Sequence, residues 1–392
     1  MGNSTNILYR YGLEALEKRR QGRRDKQRSR STDAPGARRA QPSDASGCGS
    51  GHRLHTLFWE CTLQCNQECR HCGSHASSKP SNDISGAEFL RALYNLRNSL
   101  YECGQHLPFL AITGGEPLVR RDLIEVMSSA HHALGYRWGL TTNGMLLTPA
   151  TIERLKDAGM GTASISIDGY GITHDRHRAS KGSFSTVTTN VSRLLEAGFA
   201  RQVQITTIVG PHNIDELEQL FALFDGMQGL SSWRLASTDP IGRATGEGSL
   251  ALDGAQHRFL LEFILAHNTP KLPVFYACPS HLGEYEMRAR NREFCCHAGK
   301  SVMSILHNGD IAACPNIPRN QVTVQGNIRD AMVAMNLLSV WNQGYIFHRD
   351  PDARYSRFCE GCEVWEDCRG GSLHTFDFEK GQQQKCIRKA LL

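Results

Sequence analysis

The chain has 392 residues, 40% of them hydrophobic, with 37 glycines and 14 prolines. That is the make-up of a globular protein able to bury one large domain and a smaller one, and no apolar run approaches the roughly 20 residues of a membrane span. Residues 1–53 hold 12 Lys/Arg and 5 Asp/Glu, a net of +7 against +5 for the whole chain, so the basic character belongs to the tail and no nucleic-acid partner is expected for the body.

In chain order, residues 1–53 read as a basic, largely disordered tail. Its stretch from 15 to 51 is rich in Arg, Ser and Gly, with too few large apolar residues to offset ordering entropy. Before that stretch, Ile7, Leu8, Tyr11 and Leu16 could line one face of a short basic helix that touches a membrane surface or a partner; a solvated tail is the simpler reading. No apolar signal segment opens the chain, so a cytoplasmic protein is expected.

From residue 54 the pattern becomes regular. Strands are predicted at TLFWECT (56–62), PFLAITGG (108–115), RWGLTTNG (137–144), TASISIDG (162–169), VQITTIVG (203–210) and SSWRLAS (231–237). Helices are predicted between and after them. The first, 84–104, carries Ser85 and Glu88 at capping-box spacing with Gly104 as a stop. The third, 148–159, has Thr148 as N-cap and Pro149 in the first turn. Helices are also expected at 122–135, 183–198, 213–226 and 253–268. Strands alternating with helices give a parallel sheet with right-handed crossovers. Six units fall short of eight, so the expected fold is α/β, a partial (β/α)6 TIM-type barrel over 54–275. Its chemistry should collect in the loops after the strands. Residues 276–392 read as a small cysteine-rich domain that depends on metal, with a hairpin around Asn308-Gly309 and one helix at 330–344.

Fourteen cysteines without an export signal argue for metal rather than a disulfide framework. Cys65, Cys69 and Cys72 form C-x3-C-x2-C just after the first strand. Three thiolates on a tight loop can bind three irons of a [4Fe–4S] cluster, leaving the fourth open to an external ligand. A structural zinc would want four ligands, and Cys61, within the strand, reads as a core side chain. Near the C-terminus stand Cys296, then Gly309 and Cys314, then Cys359-x2-Cys362-x5-Cys368, and Cys386. Thiolates there suit zinc or iron, so a zinc ribbon is the competing reading. Arg178, Arg234 and Arg243 fall near strand ends, where they could meet carboxylates. Trp59, Trp138 and Trp233 read as core.

The stretch CNQECRHC resembles the C-x3-C-x-φ-C motif of the radical S-adenosylmethionine (SAM) superfamily, with His71 at φ. TGGEP, TTNG, ISIDG, HDRHRASKGSF and IGRA follow on consecutive predicted strand ends in the family's order. The resemblance implies a SAM-binding [4Fe–4S] cluster on Cys65, Cys69 and Cys72. It implies His71 near the adenine, Gly114 and Gly115 permitting close backbone approach, and Glu116 receiving the methionine amino group. It also implies Asn143, Ser166 and Asp168 around SAM and substrate, and SAM or substrate carboxylates on Arg178, Arg234 or Arg243.

The C-terminal cysteines are similar to the SPASM extension, which carries auxiliary Fe–S clusters in peptide-modifying radical SAM enzymes. The set Cys359, Cys362, Cys368 and Cys386 is complete for one cluster. For the second, Cys296 and Cys314 remain, with Cys278 or Cys295 as further candidates, because Ser372 stands where the family has a cysteine. Pro315 stands where the sulfatase-maturing branch has an aspartate base. The wider wording resembles a SPASM branch found beside small lipoprotein or peptide partners. The resemblance implies reductive cleavage of SAM, hydrogen abstraction from a peptide or protein side chain, and a reducing partner such as flavodoxin or ferredoxin. Two alternatives stay open: the same chemistry on a small molecule such as a tetrapyrrole or cofactor precursor, and a non-enzymatic zinc-binding interaction module.

Overall fold

The structure, a computed structural model, describes residues 52–245, 250–277, 280–290 and 292–392. Cys278 and all but the last two residues of the basic tail lie outside the described residues.

Seven parallel strands alternate with helices: β1 Thr56–Glu60, α1 Gly86–Glu102, β2 Phe109–Thr113, α2 Leu123–His132, β3 Trp138–Thr142, α3 Pro149–Asp157, β4 Met160–Ser166, α4 Ile172–His177, α5 Ser183–Ala197, β5 Gln202–Val209, α6 Leu217–Asp225, β6 Ser232–Ser237, α7 Gly254–His267 and β7 Val274–Tyr276. The six expected strands are all present. The sheet then grows at both edges. At one, β7 adds in parallel to β6. At the other, β8 Val302–Ile305 adds in parallel to β1 and turns through a hairpin into β9 Asp310–Ala312, which pairs with β10 Val324–Asn327. The result is one ten-stranded sheet, ordered β10-β9-β8-β1-β2-β3-β4-β5-β6-β7. Three-residue β7, preceded by Pro273, is too short to show a period.

Local sequence explains the elements. Ser85 and Glu88 close the expected capping box on α1, and Asp253 with Gln256 forms a second on α7. Along β5, Val203, Ile205, Thr207 and Val209 are buried against the helices, while Gln204, Thr206 and Ile208 are half-exposed toward the barrel interior. Trp59, Trp138 and Trp233 are fully buried, as is Cys61, whose thiol burial pushes well up. Trp233 meets Phe224 and Phe263 edge-on, fixing α6 and α7 on β6.

Two details depart from the sequence reading. The expected helix at 330–344 is two short helices, Ala331–Met335 and Leu337–Gln343. At the break, Asn336 turns its amide back to the Met332 carbonyl at 2.8 Å, the local competition that disfavours Asn inside helices. The short helix α4, running from Ile172 into HDRHRAS, has no counterpart among the expected elements. Among the described residues no helix is long and apolar enough to cross a membrane.

Candidate active site and C-terminal cysteine site

The loop after β1 carries Cys65, Cys69 and Cys72, and neighbouring backbone fixes its path. Gly115 N–H donates to Thr62 O at 2.8 Å, Glu116 N–H to Gln64 O at 2.9 Å, and Cys65 N–H to Ser77 O at 2.8 Å. A Cβ on Gly114 would stand 2.5 Å from Thr62 O, and one on Gly115 would stand 2.3 Å from Gln64 O. The glycines of TGGEP therefore admit the cysteine loop itself. From the far side of the barrel, Arg243 clamps the same loop. Its Nε donates to Cys69 O at 2.7 Å and its Nη1 to Ala76 O at 2.8 Å, while its backbone N–H donates to Cys72 O.

Above the strand ends lies a cavity of about 180 Å³ lined by all three cysteines, His71, Gly114, Gly115, Asn143, Ser166, Arg178 and Arg243. Most residues singled out in the sequence thus meet in one place. Burial pushes the Cys65 thiol up to about 12, and it raises Cys69 as well, against the pull of the Arg178 guanidinium 3.6 Å from its sulfur. Asn143 ties the β3 loop to the cysteine loop through Asn66 Oδ1 at 2.7 Å.

Asp168 is fully buried, and burial alone would raise its carboxyl. The Arg178 guanidinium at 2.5 Å, with His71 and His177, outweighs that and holds it well below the usual carboxylate range. Its other oxygen accepts from Ile208 N–H at 2.7 Å, and its own N–H donates to His174 Nδ1 at 3.0 Å. His71, His177 and His212 stack in a column, with ring centroids 4.5 and 3.9 Å apart. Burial outweighs the opposing pull of Asp168 and lowers His71 to about 4 and His177 to about 2, so both are neutral at physiological pH. His71, Asp168 and His177 each bring one ligand atom within 4.8 Å of the others, but the Arg178 guanidinium already supplies the cation at that carboxylate.

Two residues take other places. Glu116 is completely buried, and its carboxylate accepts from Thr142 Oγ1 at 2.8 Å, Asn143 N–H at 2.7 Å and Leu118 N–H at 3.1 Å. It joins the β2 and β3 loops and is not among the residues lining the cavity. Arg234 stands on β6 in register with Thr206 of β5, which hydrogen-bonds Ser164 of β4 at 3.0 Å. Thr206 is itself in register with Ser166, so Arg234 stands at the level of Ser166, yet it is not among the residues that line the cavity. His177, at the end of a short helix, and His212 and Asn66, in loops, carry no periodic signal that would mark them in the sequence.

The C-terminal set is built from short pieces. Cys359, Cys362, Cys368 and Cys386 line one narrow cavity of about 20 Å³. Burial raises Cys359, Cys368 and Cys386, and the other cysteines of the set add mutual repulsion. Cys296 and Cys314 are half-buried against the main core, and Cys295 is exposed. Ser372 is buried with no hydrogen-bond partner for its Oγ. A third set of contacts links this region to the barrel. Lys385 Nζ reaches Asp239 Oδ1 at 2.9 Å and His374 Nε2 reaches Asp239 Oδ2 at 2.8 Å, in the loop between β6 and Arg243.

Both sets suit an iron–sulfur cluster. Cys65 and Cys69 in the first set, and Cys359, Cys368 and Cys386 in the second, sit where burial disfavours their charged form, a cost that a metal cation reverses. At the barrel mouth, Arg243 Nη2 is buried without a partner, and the cavity leaves room beside the three sulfurs for a carboxylate-bearing ligand.

The profile of the radical SAM superfamily matches residues 59–224. The AdoMet-dependent heme synthase of Methanosarcina barkeri is 28% identical over 336 residues, covering 79% of this chain and 90% of that protein. The mycofactocin maturase MftC of Mycobacterium ulcerans is 27% identical over 348 residues, covering 85% of this chain and 87% of that one. Streptococcus suis SuiB, solved bound to its precursor peptide SuiA, superposes with a TM-score of 0.67 at 16% identity, covering 96% of this chain and 88% of that chain. That similarity speaks to the fold: a mostly parallel partial barrel followed by a cysteine-rich region.

Proposed function

This chain belongs to the radical SAM superfamily, and from that premise we propose that it is a maturase acting on a peptide or protein side chain, with residues 54–275 as the catalytic barrel and 276–392 as an auxiliary-cluster domain. The observation that carries the reading is the single cavity shared by Cys65, Cys69, Cys72, the glycine turn, Ser166 and Arg243. When bound, the [4Fe–4S] cluster and SAM supply reductive cleavage of SAM to methionine and a 5′-deoxyadenosyl radical that takes hydrogen from an unactivated C–H bond.

The chain's own residues do the rest. Cys65, Cys69 and Cys72 would hold the cluster, and Arg243 keeps their loop rigid through two carbonyls. Arg243 Nη2 would meet a carboxylate of SAM. Arg178, held in an ion pair by Asp168, keeps its guanidinium beside Cys69. His71, backed by the stacked rings of His177 and His212, offers the cavity one flat face without adding charge. Cys359, Cys362, Cys368 and Cys386 would bind one auxiliary cluster. Cys296 and Cys314, with Cys278 or Cys295, are candidates for a second. A flavodoxin- or ferredoxin-type reductant would supply the electron.

Peptide chemistry is supported by the maturase name of MftC and by the peptide bound to SuiB. The heme synthase relative favours a second reading, the same chemistry on a tetrapyrrole side chain. Against a zinc module, neither cysteine set gathers three sulfurs within 4.8 Å among the described residues. A single tetrahedral zinc with bonds of about 2.3 Å would draw them to about 3.8 Å.

The test is anaerobic reconstitution with iron and sulfide, then SAM and dithionite. The maturase reading expects 5′-deoxyadenosine together with a mass change in a peptide encoded beside the gene. A mass change in an added tetrapyrrole, with none in any such peptide, selects the second reading. Zinc without SAM cleavage rejects both.

A further inference from the structure

Arg354 presents an unbalanced charge. It is 1% exposed. Its Nη1 donates to the Gly371 carbonyl, its Nε finds no acceptor, and no carboxylate lies within 4.0 Å of it among the described residues. Isolated buried charges are among the costliest groups a fold can hold, and native proteins pair them. The imidazole of His348, which feels the Arg354 charge, offers no compensation. His348 is fully buried, both its ring nitrogens are unpartnered, and burial followed by Arg354 and Arg349 lowers it to about 4, so it stays neutral.

Arg354 stands directly behind the C-terminal cysteine cavity. Gly370 and Gly371 form part of that cavity's wall. A Cβ on Gly370 would come within 3.0 Å of Arg354 Cβ, so only glycine lets the arginine approach so closely. Gly371 N–H in turn donates to Cys368 O at 3.1 Å.

We propose that Arg354 is the internal counter-ion of the auxiliary centre held by Cys359, Cys362, Cys368 and Cys386, a positioning residue that sets that centre's charge balance and reduction potential. The proposal rests on the reading that those four cysteines bind an iron–sulfur cluster. A cluster held by four thiolates is a net anion, more so when reduced, so a fixed cation one wall away favours loading and favours the reduced state. Without the cluster, the same guanidinium is a buried charge with nothing to balance it.

The full chain with Arg354→Met and with Arg354→Lys tests this, each measured loaded and after chelation. In the loaded protein, Arg354→Met should lower Tm and move the auxiliary centre's potential, read by EPR-monitored titration, to more negative values. In the chelated protein, the same substitution should raise Tm. Arg354→Lys should stay near the native values in both states. Selective loss of the C-terminal iron in Arg354→Met, restored in Arg354→Lys, also supports the proposal. A Tm shift of the same sign in both states, an unmoved potential with the centre intact, or an Arg354→Met protein that fails to fold when chelated would overturn it. Iron content that does not fall when Cys359 and Cys362 are replaced by alanine would instead remove the reading beneath it, and the proposal with it.

Discussion

The two cysteine sites use the same side chain in opposite settings. At the barrel mouth, three cysteines sit on a loop braced by backbone bonds from β2's glycine turn and by Arg243, beside a cavity of about 180 Å³. Near the C-terminus, four cysteines stand on pieces no longer than five residues, such as the helix Trp365–Cys368, around a cavity of about 20 Å³. The first site has fewer sulfurs and spare room, the arrangement of a centre that accepts a further ligand. The second has a full complement and no room, the arrangement of a closed centre. The barrel would keep its loop in place without metal, because sheet and helices hold it. The C-terminal region has little secondary structure of its own, so a bound metal would add more to its stability than to the barrel's.

The largest expected contrast comes from removing each set. Replacing Cys65, Cys69 and Cys72 together by alanine should abolish 5′-deoxyadenosine formation, a loss of at least ~10³-fold, with the C-terminal iron retained. Replacing Cys359 and Cys362 should leave SAM cleavage measurable while substrate modification is lost. Equal loss of SAM cleavage from both would erase the distinction. Next, Arg243→Ala removes two charge-assisted bonds of about 1.5–3 kcal/mol each. It should cut SAM cleavage by roughly 10- to 100-fold, with little change in C-terminal iron. Gly115→Ala drives a Cβ against Gln64 O and should cost about 2–3 kcal/mol in the metal-free protein, read by Tm, with SAM binding weakened.

The smallest effect is in pH. Burial, then Arg178, lowers His174 to about 4, and its Nδ1 must stay unprotonated to accept from Asp168 N–H. The unfolded chain, titrating near 6.5, therefore binds this proton first. Stability unaffected above that point should fall as pH drops from 6.5 toward 4, by about 2 kcal/mol at pH 5 from this residue. His174→Asn should flatten that part of the curve, and an unchanged slope would show that the barrel mouth does not restrain this ring.

Much of this was legible in the linear chain. Alternating apolar residues announced the six long strands, and Ser85-Glu88 and Thr148-Pro149 marked helix starts that the fold keeps. Cysteine spacing marked both sites. What escaped reading was short or distant. β7 has three residues, and β8 joins β1 across more than 240 residues of chain. The partners of Glu116 and Arg243 were likewise hidden. An expected ligand-binding carboxylate is enclosed by three protein donors, and an expected ligand-binding arginine also grips two carbonyls of the cysteine loop.

Residue type and spacing alone therefore determined the chemistry available: three thiols on a loop after a strand, four more downstream, and a barrel to carry them. Periodicity and ligand spacing are local properties, and they survive in a one-dimensional string. Only tertiary structure decided which charges face each other, pairing Arg178 with Asp168 and leaving Arg354 without a carboxylate behind a wall of glycine. Electrostatic balance depends on distance and burial, and both are set by how remote segments pack.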